Sequence, residues 1–462
     1  MKLHVRIIGF LTTLFIFCII AATAHAKDTR YVVVFQNQNI PENAAQLIEA
    51  AGGRLVKTLP SIGVVIAVSN NPGFASSLSN TPGIDSVSME RSLRVQNANK
   101  SEPAERSRKG RKTNESQPVE CSENSRNDSC FGEQWNIRRV QADDAWRITT
   151  GSHRTVVAVI DTGIATNHPD LKDNVVYNEC FSTSGTCNPY PEDPNLGYHG
   201  TAVASIIAAS FGRGGLIGVG PNLGLANYNV WETAEQNAFD SSVWAAMLDA
   251  ATRGFKVINI SLYGLYRWPE DRATINAYAR TVSQVNKKGS LIIACAGNDG
   301  INLDGTVFSI PADLSGVISV GATGIRPLPF YPQSGAYDVR AFYTNYGRSI
   351  DLVAPGGDWG PDCNFDICEN YDENYLVLTA DVLPDPDCAR EKTLCPTGYS
   401  LNGGTSVSAP HVSAVAGLIL DMYPSLSPSE VTARLKSTAD YVGDPQQFGN
   451  GMVNAYRALT GR

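Results

Sequence analysis

Three stretches of this 462-residue chain carry side chains suited to nucleophilic or acid–base chemistry. The first is Gly403-Gly404-Thr405-Ser406-Val407-Ser408-Ala409-Pro410. Two glycines remove side-chain bulk, a serine follows, and the apolar run His411 to Leu420 reads as a buried helix. A serine at the mouth of such a helix presents its hydroxyl at a sharp turn, with its own N–H at the positive end of the helix dipole. That suits a nucleophile whose reaction makes an oxyanion; it suits a plain N-cap equally well. The second stretch is His199-Gly200-Thr201-Ala202, an imidazole just before another apolar helical run. The third is Asp161-Thr162-Gly163, which ends the apolar run Val156 to Ile160 as a buried parallel strand would end. Reactive groups of parallel α/β sheets collect at the carboxyl ends of strands, where Asp161 falls. The other histidines beyond the amino terminus read as structural: His153 in a loop, His168 in a turn and His411 packed on the serine's own helix.

Positioning three such distant residues needs an α/β sheet. From Gln134 onward, apolar strand-like runs at Val156–Ile160, Val257–Leu262, Leu291–Ala296, Val317–Val320 and Ile350–Val353 alternate with helical patterns at Ala202–Ala209, Val243–Thr252 and Ile275–Asn286. This alternation predicts a parallel sheet with helices on both faces. Ser427-Pro428-Ser429-Glu430 predicts a capped surface helix running to Thr438. Residues 27–95 form a separate pattern. Runs at Tyr31–Phe35, Arg54–Lys57, Gly63–Val68 and Ile84–Met89, with helical segments at Pro41–Ala51 and Pro72–Leu78, give a β-α-β-β-α-β order, the split βαβ plan. Between the two units, residues 96–120 are polar, with five basic residues in Arg106 to Lys112. They read as an exposed linker open to proteolytic nicking.

Composition narrows the class. The chain is 43% hydrophobic and 18% charged with net charge −8, which gives no reason to expect nucleic-acid binding. Lys2 and Arg6, the apolar run Ile7 to Ile20, and Ala24-His25-Ala26 have the layout of a secretory signal over residues 1–26. No later run reaches the ~20 apolar residues of a membrane span. Export makes disulfides the expected fate of the close pairs Cys121/Cys130, Cys180/Cys187, Cys363/Cys368 and Cys388/Cys395. A four-thiolate zinc site at Cys363, Cys368, Cys388 and Cys395 is the alternative that export argues against. Cys295, inside an apolar run, is left over as a buried thiol.

Taken together, Asp161-Thr162-Gly163-Ile164, His199-Gly200-Thr201 and Gly404-Thr405-Ser406-Val407-Ser408-Ala409-Pro410 resemble the three signatures of the subtilisin-like serine proteases, in that family's chain order. Gly218-Val219-Gly220-Pro221, Val257 to Leu262 and Ala294-Cys295-Ala296-Gly297-Asn298 match as well, so the resemblance spans Gln134 to the end. It implies a serine endopeptidase in which Ser406 attacks, His199 shuttles the proton, Asp161 orients the imidazole, and Asn298 donates to the oxyanion. It implies a catalytic domain over 121–462, polypeptide substrates bound along Ser261-Leu262, and residues 27–95 as an inhibitory propeptide released by self-cleavage in or just before 96–120. The expected product is a secreted monomer with no required cofactor and no membrane contact once the signal is cut. With its last residue at Arg462, soon after the last expected helix, the protein is expected to lack the extra C-terminal domain of kexin-like convertases. A catalytically dead scaffold used for binding is the rival from another class, and a processing protease of narrow specificity the rival among enzymes.

Departures from the family pattern set further expectations. Tyr263 stands where glycine is usual, so its ring could cover the substrate pocket; Cys295 stands at a pocket-lining position. Ala202 and Ser205 replace common residues of the histidine motif at packing positions. Asp170 matches a carboxylate that often binds calcium in relatives, but Gly212 and Arg213 weaken the cooperating loop. An insertion at about 357–402 carries Asp358, Asp362, Asp366, Glu369, Asp372, Glu373, Asp385 and Asp387. It reads either as a disulfide-stapled loop that favours basic peptides or as a solvated surface loop.

Overall fold

The computed structural model describes residues 28–93, 95, 128, 130–183, 199–232, 237–326, 337–364, 368, 372–382 and 397–462. The signal, the 96–120 linker, Cys121, Cys187, Cys388 and Cys395, and Asp366, Glu369, Asp385 and Asp387 lie outside the described residues.

The amino-terminal unit is a four-stranded antiparallel sheet in the order β2-β3-β1-β4. Its elements are β1 (Thr29–Phe35), α1 (Ala44–Ala50), β2 (Arg54–Leu59), β3 (Val64–Ser69), α2 (Phe74–Ser79) and β4 (Ile84–Met89). Alternate residues of β1 face opposite ways. Tyr31, Val33 and Phe35 pack under α1 and α2, whereas Val32 and Val34 join the core of the large domain. The two-residue β5 (Ser92–Leu93) then continues onto that domain.

The large sheet has the order β15-β14-β12-β10-β6-β8-β7, with β16 also paired to β14. These strands are β6 (Val156–Asp161), β7 (Val175–Cys180), β8 (Gly224–Asn229), β10 (Val257–Ile260), β12 (Leu291–Cys295), β14 (Val317–Arg326), β15 (Tyr337–Arg340) and β16 (Leu352–Pro355). All their pairings are parallel except β14 with β15. One face is covered by α5 (His199–Ala208), by α8 (Thr405–Met422) and by α9 (Pro428–Ser437); the other by α6 (Asp240–Thr252) and α7 (Arg272–Lys287). The short α3 (Trp135–Arg139) and α4 (Ala142–Ala145) precede β6. α9 opens with a complete capping box between Ser427 and Glu430. β9 (Ala238–Phe239) leads into α6, and β11 (Gly264–Arg267) pairs with β13 (Val307–Ile310).

The described part of the insertion is a hairpin of β17 (Val377–Val382) and β18 (Thr397–Asn402). It is no solvated loop: Val377 packs with Trp135, Ile206 and Val407, and Leu378 with Cys130, Ala209 and Leu216. Ser205, one of the motif departures, accepts the Ala380 N–H at 3.0 Å and so ties the hairpin to α5. Asp358 is not an acid offered to substrate. Its side chain is 4% exposed and paired with Arg326 at 2.8 Å. Cys363 and Cys368 are bonded to each other, with Cα atoms 4.0 Å apart.

The small unit docks on α6 and α7. Glu90 accepts the Ser241 N–H at 3.0 Å and pairs with Arg30 at 2.6 Å, placing an acid at the N-terminus of α6. Arg280 donates to the carbonyls of Phe35 and Ile62. Beneath this contact Asp240 is fully buried. Its Oδ1 accepts from Tyr266 at 2.6 Å and Tyr278 at 2.9 Å, while Oδ2 has no hydrogen-bond partner. Burial, with Glu90 as a further repulsive charge, pushes its carboxyl up to about 8. The folded value therefore lies above the unfolded ~3.9. Asp240 stabilises the folded state fully only below pH ~4, and this contribution is lost as pH rises towards 8, at about 1.4 kcal/mol per unit of displacement. The expected result is a Tm gap between Asp240→Asn and wild type that widens in favour of the variant from pH 5 to pH 8 and then levels. Thermal scans of the full chain across that range check it.

Candidate active site

Asp161 closes β6 and is fully buried. Its Oδ1 accepts the Thr162 N–H at 2.7 Å and lies 2.7 Å from His199 Nδ1. Thr162 in turn accepts the Gly200 N–H at 3.0 Å, which fixes the first turn of α5 beside the strand end. A carboxylate only accepts, so Nδ1 carries the imidazole proton and Nε2 keeps its lone pair for another partner.

Ser406 lies in the first turn of α8. Pro410 sits inside this helix and has no N–H to give the Ser406 carbonyl four residues back. Ser261 fills the gap by donating its hydroxyl to that carbonyl at 2.9 Å. Ser261 is itself held by Asn259 at 3.0 Å, and Asn259 by Ser413 of α8 at 2.8 Å. Thus β10 and α8 are cross-linked just where the helix begins. Asn259 and Ser413 were not singled out by sequence; their signal was polar residues within otherwise apolar runs.

Asn298 follows β12. Its Oδ1 accepts from the N–H of Thr405 at 2.9 Å and the hydroxyl of Thr405 at 2.7 Å. Its Nδ2 and Ser406 Oγ flank one point: a Cβ added to Gly404 would lie 3.3 Å from the first and 3.1 Å from the second. Gly404, at φ 150°, leaves that space open. The structure thus pairs Asp161 with His199 and brings Ser406 together with Asn298. Ser406 Oγ and His199 Nε2 make no hydrogen bond in this resting arrangement, and such bonds commonly tighten only around substrate.

The peptidase S8 family model, described as the subtilase family, matches residues 152–451. The chain belongs to the subtilase family. It is a serine-type endopeptidase. Subtilisin DY of Bacillus licheniformis is 30% identical over 306 residues, covering 65% of this chain and 89% of that protein. Subtilisin Savinase of Lederbergia lenta is 32% identical over 325 residues, covering 70% and 97%. The crystal structure of the epidermin leader peptide processing serine protease of Staphylococcus aureus superposes with a TM-score of 0.69 at 22% identity, over 94% of this chain and 98% of that one. At that identity the likeness speaks for the fold.

One pocket expectation needs correction, whereas Cys295 is the buried thiol that its apolar run predicts. The Tyr263 ring does not lie open over a substrate pocket: it is 4% exposed and joins the core. The physical reason is Gly297, at φ 98°, where an added Cβ would meet Tyr263 Cε2 at 2.6 Å. Cys295 is fully buried, and burial pushes its thiol up to about 12, so it is an inert packing group rather than a reactive pocket lining. Leu262 is buried too, and Ser261 spends its hydroxyl on the Ser406 carbonyl. The remaining histidines have structural partners. His411, lowered to about 4 by burial, contacts Asn136 and the Val407 carbonyl. His168 contacts the Gly398 carbonyl and takes the Asp170 N–H, and His153 contacts Asn174.

Asp170, the carboxylate expected to hold calcium, is engaged by protein donors on one oxygen. Its Oδ2 accepts from the Leu216 N–H and the Tyr399 hydroxyl, each at 3.0 Å. In the neighbouring loop the N–H groups of Gly212, Arg213 and Gly214 point at the carboxylate of Asp128. Arg213 adds a cation and pairs with Asp173. A hard cation needs several converging oxygens, whereas this loop turns N–H donors inward. Asp170 Oδ1 is buried without a hydrogen-bond partner, and among the described residues no cluster of three or more His, Cys, Asp or Glu is arranged for a metal.

Proposed function

We propose that this subtilase hydrolyses polypeptides through an acyl-enzyme formed on Ser406, and that residues 27–95 are its inhibitory propeptide. The observation that carries the reading is the single Asp161 oxygen that holds both His199 Nδ1 and the Thr162 N–H. With Nδ1 fixed, His199 Nε2 takes the Ser406 proton as Oγ attacks the scissile carbonyl, then returns it to the leaving amine. The oxyanion is received by Asn298 Nδ2 and the Ser406 N–H at the positive end of α8. Water then repeats the sequence on the acyl-enzyme. The position of Ser406 in this role, rather than as a cap, is supported by its neighbours: Thr405 and Ser261 hold the backbone and leave Oγ to the cleft.

Substrate would bind by strand addition along the Ser261-Leu262 edge; the tail of the small unit itself adds to another strand of the large domain, β9. β5 pairs antiparallel with β9, Ser92 opposite Phe239 and Leu93 opposite Ala238. Leu93 is fully buried in the core with Leu262 and Tyr266. In sequence, the basic linker where self-cleavage is expected begins three residues after Leu93. The amino-terminal signal supports export, and no described helix is long and apolar enough to cross a membrane.

Expression in a protease-deficient secreting host tests the reading. Wild type should acquire a new N-terminus in or just before residues 96–120, and Ser406→Ala should keep residues 27–95 attached. Identical processing of both forms would mean that another protease does the cutting.

A further inference from the structure

We propose that Tyr263 is a positioning residue that holds Asn298 in place for the oxyanion, an inference that rests on the proteolytic reading and deepens it. The family usually has glycine after Ser261-Leu262, so this chain has added a phenol next to the cleft. The ring turns inward, into the space that Gly297 leaves for lack of a side chain. Its hydroxyl accepts the Asn298 N–H at 2.8 Å and is hydrogen-bonded to the carboxylate of Asp299. Asn298 is therefore gripped at two points. Tyr263 holds its backbone, and the Thr405 N–H and hydroxyl hold its Oδ1. With both fixed, the direction of Nδ2 towards the Gly404–Ser406 turn is fixed as well.

The loop behind Asn298 is also braced by Asn345, whose amide reaches the Asp299 carboxylate at 3.2 Å. Asn345 donates its N–H to the Gly297 carbonyl at 3.0 Å and its amide to the Ala296 carbonyl at 3.0 Å. The Asn345 oxygen receives the N–H groups of Asp299 and Ile301, both at 3.1 Å. Between these anchors the Asn298 N–H is bound through a side chain, and Tyr263 supplies it. Loss of the hydroxyl takes this acceptor from a donor in a residue only 6% exposed, and the backbone must shift to compensate. Misplacement of a catalytic group by about 1 Å costs on the order of 10²-fold, and complete loss of one oxyanion donor ~10²–10³-fold, so a partial loss of aim should cost less.

The test is Tyr263→Phe, alone and combined with Asn298→Ala. The single variant should lower kcat about 10-fold with KM within about twofold, a fraction of the full donor loss. It should weaken a peptide aldehyde, which forms a tetrahedral adduct on the serine, by the same factor. In the Asn298→Ala background Tyr263→Phe should change kcat no further, because there is no amide left to aim. An equal drop in both backgrounds, or unchanged kcat in the single variant, overturns the proposal. If Tyr263→Phe does not fold, Asp299→Asn probes the same link. A smaller kcat loss that vanishes in the Asn298→Ala background supports the proposal, and one that persists there overturns it. Ser406→Ala separates the two levels: full hydrolysis by that variant would sink the reading of an acyl-enzyme on Ser406, whatever Tyr263 does.

Discussion

Ser406→Ala is expected to reduce kcat on a peptide anilide by about 10⁶-fold with little change in KM. The change removes one hydroxyl and no structural bond. The backbone carbonyl of Ser406 keeps its link to Ser261, and Oγ is not part of any described hydrogen bond. Folding should therefore be unaffected, and the loss should appear in kcat alone. Nucleophile and base act as one unit, so His199→Ala should cost about as much, and the double variant little more than either. A residual ~10³–10⁴-fold acceleration over water should survive from the oxyanion donors and binding. Steady-state kinetics of the three variants, each cut in the 96–120 linker by an added protease and freed of residues 27–95 because none should process itself, check the size and the non-additivity together. Independent, multiplying losses would mean that the two side chains do not share a step.

Asn298→Ala is expected to lower kcat by ~10²–10³-fold, again at nearly constant KM. A donor aimed at the oxyanion stabilises the transition state more than the ground state, which is what confines the loss to kcat. Alanine also takes an acceptor from the Thr405 N–H and hydroxyl, so a structural effect must be separated. Asn298→Asp does this. It preserves the oxygen that Thr405 needs and replaces the amide donor with a second carboxylate oxygen. Its thermal stability should stay near wild type, while its kcat falls at least as far as that of the alanine variant. An aspartate variant with wild-type kcat would remove Asn298 from the chemistry.

The sheet was legible because its central strands are buried on both faces and so are written as continuous apolar runs: Val156 to Ile160, Val257 to Ile260 and Leu291 to Ala294. β8 escaped notice although all six of its residues are buried. Asn227 and Asn229 interrupt the apolar pattern because their side chains bind backbone N–H groups of Ile164 and Trp231, on the turns that follow the strand ends. The β17–β18 hairpin was hidden within an acidic, cysteine-containing stretch; its buried face is short, and Ser205 and Trp135, which bond it, lie far away in sequence.

At the site, the residue types in the three stretches pointed to their neighbours, and Asp161 with His199 and Ser406 with Asn298 are adjacent in space. What the sequence did not disclose is how they are held. Pro410 withholds an N–H, and only the fold shows that Ser261 answers it. Tyr263 reads as a pocket side chain from its place after Leu262. Its inward turn depends on the left-handed backbone at Gly297, more than thirty residues on.

The most direct measurement is active-site labelling of the purified protein, freed of residues 27–95, with a fluorophosphonate, mapped by mass spectrometry. One adduct on Ser406, slowed severely by His199→Ala and absent in Ser406→Ala, is the predicted result. A folded and processed protein that takes no label, or takes it on another residue while Ser406 stays unmodified, would contradict the account.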